Sequence, residues 1–188
     1  MKIIILEGSS ASGKTRTANE LLKLATNKGF QAKIIEESVT LMPILANRDC
    51  QVAIKHINSV IDQAIDSNLD MIIFDRLHLT PAAVTNSTLK KFAQIESKLK
   101  QFNSTIVFLE MKEEVIEKRI FDSMKYRDPS WEQYVRKKGS DKDIVRHYTD
   151  AQRKLQKLIN ETKLPIIRLD TTNQEFGKIA QVIAEKIF

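Results

Sequence analysis

Short apolar runs alternate with longer segments of helical period along this chain. Ile3–Leu6, Met71–Phe74 and Thr105–Leu109 are nearly continuous apolar stretches, the pattern of strands covered on both faces. Ala32–Ile35 and Ile166–Leu169 add two more. All five are expected to be buried strands. Between them, Lys14–Lys28 places Ala18, Leu21, Leu22 and Ala25 on one face and stops at Gly29, and Val52–Ile65 places Ile57, Ile61, Ala64 and Ile65 in phase. Leu89–Phe102, Lys112–Met124, Asp141–Ile159 and Gln174–Ile187 read as further helices. A polar segment with Pro129, Trp131 and Gly139 separates the helices at Lys112–Met124 and Asp141–Ile159.

Strands alternating with helical crossovers predict an α/β fold, a parallel sheet with helices on both faces. Ligands in such sheets sit beyond the carboxyl ends of the strands. The places to search are therefore Glu7–Thr15, Glu36–Thr40, Asp75–Thr80, Glu110–Lys112 and Asp170–Asn173, and all five begin with an acid.

Composition narrows the reading. The 188 residues, 42% hydrophobic and 29% charged, suit one domain with a mobile flap. No run of about 18 apolar residues offers a membrane span, and the apolar start ending at Glu7 is too short for a signal peptide. The lone Cys50 excludes an internal disulfide, reads as a packing residue and suits a reducing cytosol, so a cytoplasmic location is expected. The net charge of +6 fits a polyphosphate ligand or nucleic acid. Lys112–Arg153 holds eleven Lys and Arg, but acids are interspersed. That mixture is the pattern of a solvated helix face, and nucleic acid is not the expected partner.

The sharpest signal is Gly8-Ser9-Ser10-Ala11-Ser12-Gly13-Lys14-Thr15, which matches G-x-x-x-x-G-K-[ST] between a buried strand and an amphipathic helix. Inward-turned backbone N–H groups form an anion nest there, and the following helix adds its positive end. Lys14 is expected to reach the β- and γ-phosphates of a nucleoside triphosphate, and Thr15 to ligate Mg²⁺.

Other corners of the site are less specific. Asp75 ends the third strand, either as a second Mg²⁺ anchor or as a turn residue. Arg76 is placed to bind a substrate phosphate or sugar, or to form a surface ion pair. Of Glu36 and Glu37, Glu37 is favoured to orient or deprotonate an acceptor, against a solvated strand end. Arg48 is a candidate contact to a substrate phosphate. Arg119, Lys125 and Arg127 are candidate cations on a closing flap, expelling water and stabilising transferred charge. Trp131 and Tyr134 read as helix packing more than as a base-stacking pair. Asp170–Asn173 reads as a loop touching adenine, or as a run in which Thr172 or Asn173 caps the last helix. His56, His78 and His147 lack ligand spacing and are expected to be structural, His78 least so.

Taken in order, these residues resemble the P-loop nucleoside and nucleotide kinases, thymidylate kinase most of all, over nearly the whole chain. The resemblance implies a three-layer α/β/α P-loop NTPase fold with strand order 2-3-1-4-5 and a lid around residues 119–139. It implies ATP and Mg²⁺ as cofactors, a small-molecule phosphate acceptor, and room for a homodimer. Thymidylate kinases carry Arg-Glu-Pro-Gly-Gly after the second strand. Here the run is Glu36-Glu37-Ser38-Val39, closer to the Glu-Pro of deoxynucleoside kinases. Asp75-Arg76-Leu77-His78 likewise departs from the family's third motif. The phosphate loop is also similar to that of chloramphenicol-type phosphotransferases. The expected activity is ATP-dependent phosphorylation of a nucleoside or nucleoside monophosphate. The alternatives are a kinase of an antibiotic alcohol and a nucleotide-binding regulatory module.

Overall fold

The structure is a computed structural model that describes residues 1–188. Five parallel strands form one sheet: β1 (Lys2–Glu7), β2 (Ala32–Ile35), β3 (Met71–Asp75), β4 (Asn103–Glu110) and β5 (Ile166–Asp170). Their order is β2-β3-β1-β4-β5, as the kinase resemblance implies. The helices are α1 (Lys14–Asn27), α2 (Glu37–Thr40), α3 (Met42–Leu45), α4 (Cys50–Ile65), α5 (Leu79–Val84), α6 (Ala93–Lys100), α7 (Glu113–Tyr126), α8 (Pro129–Arg136), α9 (Asp141–Ile159) and α10 (Phe176–Ile187).

Alternation along the central strands makes two cores. Ile3, Ile5, Ile72, Phe74, Ile106 and Phe108 face one way, packed against α4, α5, α6 and the C-terminal half of α9. Ile4, Leu6, Met71, Ile73, Val107 and Leu109 face the other, packed against α1 and α10. Each such side chain contributes roughly 1.5–3 kcal/mol by leaving water. A third, smaller cluster joins α7, α8 and α9 through Ile116, Ile120, Val135, Ile144 and Tyr148.

Several expectations need correction. Only the inner strands are buried throughout their centres. β2 and β5 are sheet edges, and β5 alternates exposed and half-buried residues. The helix expected over Leu89–Phe102 breaks into a 3-10 turn at Leu89–Phe92 followed by α6. The polar segment before α9 contains α8, which Pro129 opens at a first-turn position while Asp128 accepts from the Ser130 N–H at 2.8 Å. α10 starts at Phe176, so neither Thr172 nor Asn173 caps it. α4 starts two residues earlier than its apolar period, where the Asp49 side chain accepts from the Val52 N–H at 2.8 Å.

Register fixes the site. Leu6 lies opposite Asp75, and Glu7 opposite Phe108, so at the carboxyl edge β1 and β3 end within a residue of each other while β4 runs two residues further. The loop after β1 leaves from the middle of that edge.

Candidate active site

Gly8–Thr15 turns directly from β1 into α1. Gly13 takes φ 93° as the residue that starts the helix, and a Cβ there would lie 2.0 Å from the Phe176 ring. Only glycine supplies both the left-handed backbone and the missing volume. Ala11 also takes a positive φ, 62°. The Lys14 ammonium is buried and donates to the carbonyls of Gly8 and Ser9 at 3.2 and 3.0 Å. Burial, and then the Arg76 charge, lower its pKa to about 8, with Asp75, Glu37 and Glu7 pulling the other way.

The Thr15 hydroxyl donates to Asp75 Oδ2 at 2.6 Å. Asp75 is buried, and its Oδ1 has no hydrogen-bond partner. A hydroxyl and a half-satisfied carboxylate side by side are hard oxygen donors, and they fit a small divalent cation. The Thr40 hydroxyl donates to the Asp75 carbonyl at 3.0 Å, which ties α2 to the end of β3.

That tie brings Glu37 to Arg76. The Arg76 Nε lies 3.1 Å from Glu37 Oε2, and its terminal nitrogen donates to the Gly8 carbonyl at 2.8 Å and to the Thr80 hydroxyl at 3.0 Å. Arg76 is buried with φ 67°, a conformation that a non-glycine residue keeps only where its surroundings hold it. Glu37 opposes two effects: burial raises its pKa, but the Arg76 and Lys14 charges outweigh that and hold the carboxyl below its usual range. Glu36 is exposed and only accepts from Ser38 at 3.3 Å.

Glu7 carries a function the sequence did not disclose. It is fully buried and accepts from the Leu77 and Leu79 N–H groups at 3.1 Å each and from the Thr80 hydroxyl at 2.6 Å. One carboxylate thus shapes the turn that carries Arg76. Its only sequence signal was an acid closing an apolar run. Gln152 is a second such residue. From α9 its side chain pairs with both backbone polar groups of Met111 (3.1 and 2.8 Å), and it lies 3.4 Å from the Ser9 hydroxyl.

A cavity of about 660 Å³ opens beside the loop. Glu37, Arg76 and Thr80 lie along it with Ser9 and Ser10, apolar side chains of α2–α3 and α5 form part of its wall, and Trp131, Tyr134 and Tyr148 give it an aromatic wall. Trp131 and Tyr134 were expected to be packing residues. Trp131 does pack, its Nε1 donating to Ser123 at 3.0 Å, but the two rings also stack at 5.6 Å and line the cavity.

The remaining candidates divide. Arg48 lines the cavity, exposed, with φ 51°. Arg127 rests 4.4 Å above the Trp131 ring and lies within the fields of Glu37 and Arg76. Arg119 lies elsewhere: it is buried and donates to the Thr171 carbonyl at 2.8 Å and the Ala11 carbonyl at 2.5 Å, clamping the phosphate loop to the loop after β5. Lys125 is an exposed partner of Asp122 at 2.8 Å. His78 is buried against Glu96 at 3.4 Å, and His56 bonds the Val39 carbonyl at 2.7 Å. His147, expected to be structural, lines the cavity.

Comparison with solved structures decides the fold. The YorR protein of Bacillus subtilis, in complex with phosphorylated GDP, superposes with a TM-score of 0.72 at 19% identity, covering 98% of this chain and 95% of that one. Deoxyadenosine kinase of M. mycoides, with the products dCMP and dCDP, superposes at 0.55 and 16% identity, covering 99% and 97%. The chain has the fold of a nucleoside kinase. A second structure of that deoxyadenosine kinase, with bound dCTP, gives 0.53 at 14% identity and complete coverage of both chains. In this kinase fold the phosphate loop, the β3 end and the cavity occupy the carboxyl edge of the sheet. No protein-family model matches the sequence, and no curated protein sequence matches it. No helix is long and apolar enough to cross a membrane.

Proposed function

We propose that this protein is an ATP- and Mg²⁺-dependent phosphotransferase whose acceptor is a nucleoside or nucleoside monophosphate. The observation that carries the reading is the Glu37–Arg76 ion pair, 3.1 Å across, set between the phosphate loop and the aromatic cavity. A triphosphate binder without an acceptor has no use for a carboxylate held in that place.

The loop N–H groups and Lys14 bind the donor phosphates. Thr15 and Asp75 would hold Mg²⁺, which would supply charge neutralisation along the phosphates. Glu37 faces the acceptor. Its depressed pKa keeps it ionised at neutral pH, ready to accept the acceptor's O–H. The acceptor oxygen bonds to the γ-phosphorus, the bond to the β-bridging oxygen breaks, ADP leaves, and the hydroxyl proton passes by way of Glu37 to water. So weak a base orients the oxygen more than it strips the proton, which suits the loose transition state of phosphoryl transfer. A hydroxyl acceptor fits this arrangement better than a phosphate, because Arg76 already has a carboxylate partner. Trp131 and Tyr134 offer a flat face to the base. Arg127 moves from Trp131 toward the transferred group when the lid segment closes.

The test is ADP release from ATP and Mg²⁺ across a panel of nucleosides, nucleoside monophosphates, and aminoglycoside-like and chloramphenicol-like alcohols. Stimulation by nucleosides is expected. Stimulation by the antibiotic alcohols alone overturns the reading.

A further inference from the structure

The charge around the cavity is lopsided. Arg48, Lys138 and Lys154 line it, and none has a carboxylate within ion-pair distance. They come from three segments: the α3–α4 connection, the turn after α8, and α9. Lys138 rests 4.0 Å over the Tyr134 ring. Lys154 donates to the Ala83 carbonyl and the Asn86 side chain, which are neutral partners. Of the two acids on the cavity wall, Glu37 is taken by Arg76 and Asp150 lies 3.9 Å from Arg153.

This charge is separate from the reacting end. His147 is pushed toward its neutral form by burial and then by the Lys138 and Arg48 charges, with Asp150 pulling the other way, so His147, Lys138 and Arg48 share one field. Glu37 and Arg76 are not among the charges acting on it. The cavity therefore has two ends, a paired one at Glu37–Arg76 and a cation-rich one at Arg48 and Lys138, where Asp150 is the one acid and lies toward Arg153. On the outer faces, by contrast, Arg136, Arg146 and Arg153 each sit beside an acid. A cavity wall that gathers cations and leaves them unpaired is built for an anion.

We infer that the acceptor carries an anionic group, remote from the hydroxyl that is phosphorylated, and that Arg48 and Lys138 bind it. The inference rests on the nucleoside reading above and names its acceptor more closely. The anion has two possible carriers. It is a phosphate on the 3′ side of the sugar, or a carboxylate on the base.

Calorimetric binding without ATP separates these. The ligands are the common nucleosides, their 3′-monophosphates, and orotidine beside uridine, each with the wild type and the double variant R48Q/K138Q. One anionic arm is expected to bind the wild type about tenfold more tightly than its uncharged parent, the scale of two partly exposed charge contacts. That ratio is expected to fall to near one in R48Q/K138Q, and to shrink in the wild type as salt rises. An advantage for the 3′-phosphates places the anion on the sugar, and one for orotidine places it on the base. No advantage in either arm, or an advantage that survives both the double variant and high salt, overturns the inference. If nucleosides stimulate ADP release but their anionic forms bind no better, only this inference falls. If no nucleoside derivative binds or is phosphorylated, the nucleoside reading falls and this one with it.

Discussion

The two sides of the candidate site are built differently. On the donor side, the buried cations and the Thr15 hydroxyl already have partners inside the protein, although Asp75 Oδ1 and the Ser12 hydroxyl do not. Lys14 rests on loop carbonyls, Thr15 on Asp75, and Arg119 bridges Ala11 to Thr171. On the acceptor side, cations stand without counter-ions around an open cavity, and the Tyr148 hydroxyl has no partner. A site that meets the same triphosphate in every cycle gains by being set in advance, because little reorganisation is then needed. A site that must tell one acceptor from another keeps unpaired groups whose satisfaction depends on the right ligand.

The largest effect is expected where the donor side is cut. Lys14→Ala should lower turnover by roughly 10³-fold while changing acceptor affinity little, because its contact strengthens as charge develops. Steady-state kinetics with each substrate varied check this. A comparable loss of acceptor affinity would show that the two sides are not separate.

How legible each side was follows from the same difference. The donor loop is a contiguous string of eight residues, Gly8–Thr15, and its chemistry is local. The three inner strands and α1, α4 and α9 were legible because burial writes a period into the sequence. The acceptor side joins residues far apart in the chain. Glu37 and Arg76 meet only because Thr40 anchors α2 to β3, and no spacing reveals that. Glu7 was visible as a strand-end acid, but its partners at Leu77–Thr80 exist only in the folded chain. α8 was missed because its eight residues show too few apolar turns, although Asp128-Pro129 marked its start. Arg119 was legible as a cation near the loop, but not as a group already held by two carbonyls.

Next in size, Gly13→Ala tests how tightly the donor side is set. The added methyl would meet Phe176 at 2.0 Å in a left-handed backbone, with destabilisation of about 1–3 kcal/mol expected from overpacking and strain. Thermal unfolding measures it. A melting temperature equal to that of the wild type would mean that Phe176 yields freely and the loop is not rigid.

A third outcome concerns pH. With its pKa lowered to about 8, Lys14 in the free protein loses its proton as pH rises through that value, whereas an unfolded lysine keeps it to about 10.5. The unfolded chain then binds more protons between these values. Lys14 therefore favours folding increasingly as pH climbs from about 8 to 10.5 and has no such effect below. Binding an ATP analogue needs the charged form, so affinity should decline above pH 8 and binding should take up protons there. Calorimetry in buffers of different ionisation enthalpy reads that uptake, and Lys14→Ala should abolish it.

The smallest effect is expected at Arg127, the cation that the proposed closure would carry between the two sides. Arg127→Ala should reduce turnover by about tenfold and leave donor affinity nearly unchanged, because its partner in the free protein is the Trp131 ring. In the wild type, Trp131 fluorescence should change when donor analogue and acceptor bind together and Arg127 leaves the ring. A signal unaffected by both ligands would contradict closure of the segment.

The central claim is that Glu37 forms the acceptor half of a phosphoryl-transfer site. The most direct measurement is nucleoside-stimulated ADP release by Glu37→Gln, taken beside its affinity for an ATP analogue. The account predicts a loss of stimulated turnover of about 10²-fold or more with analogue affinity unchanged. Stimulated turnover equal to that of the wild type would contradict it.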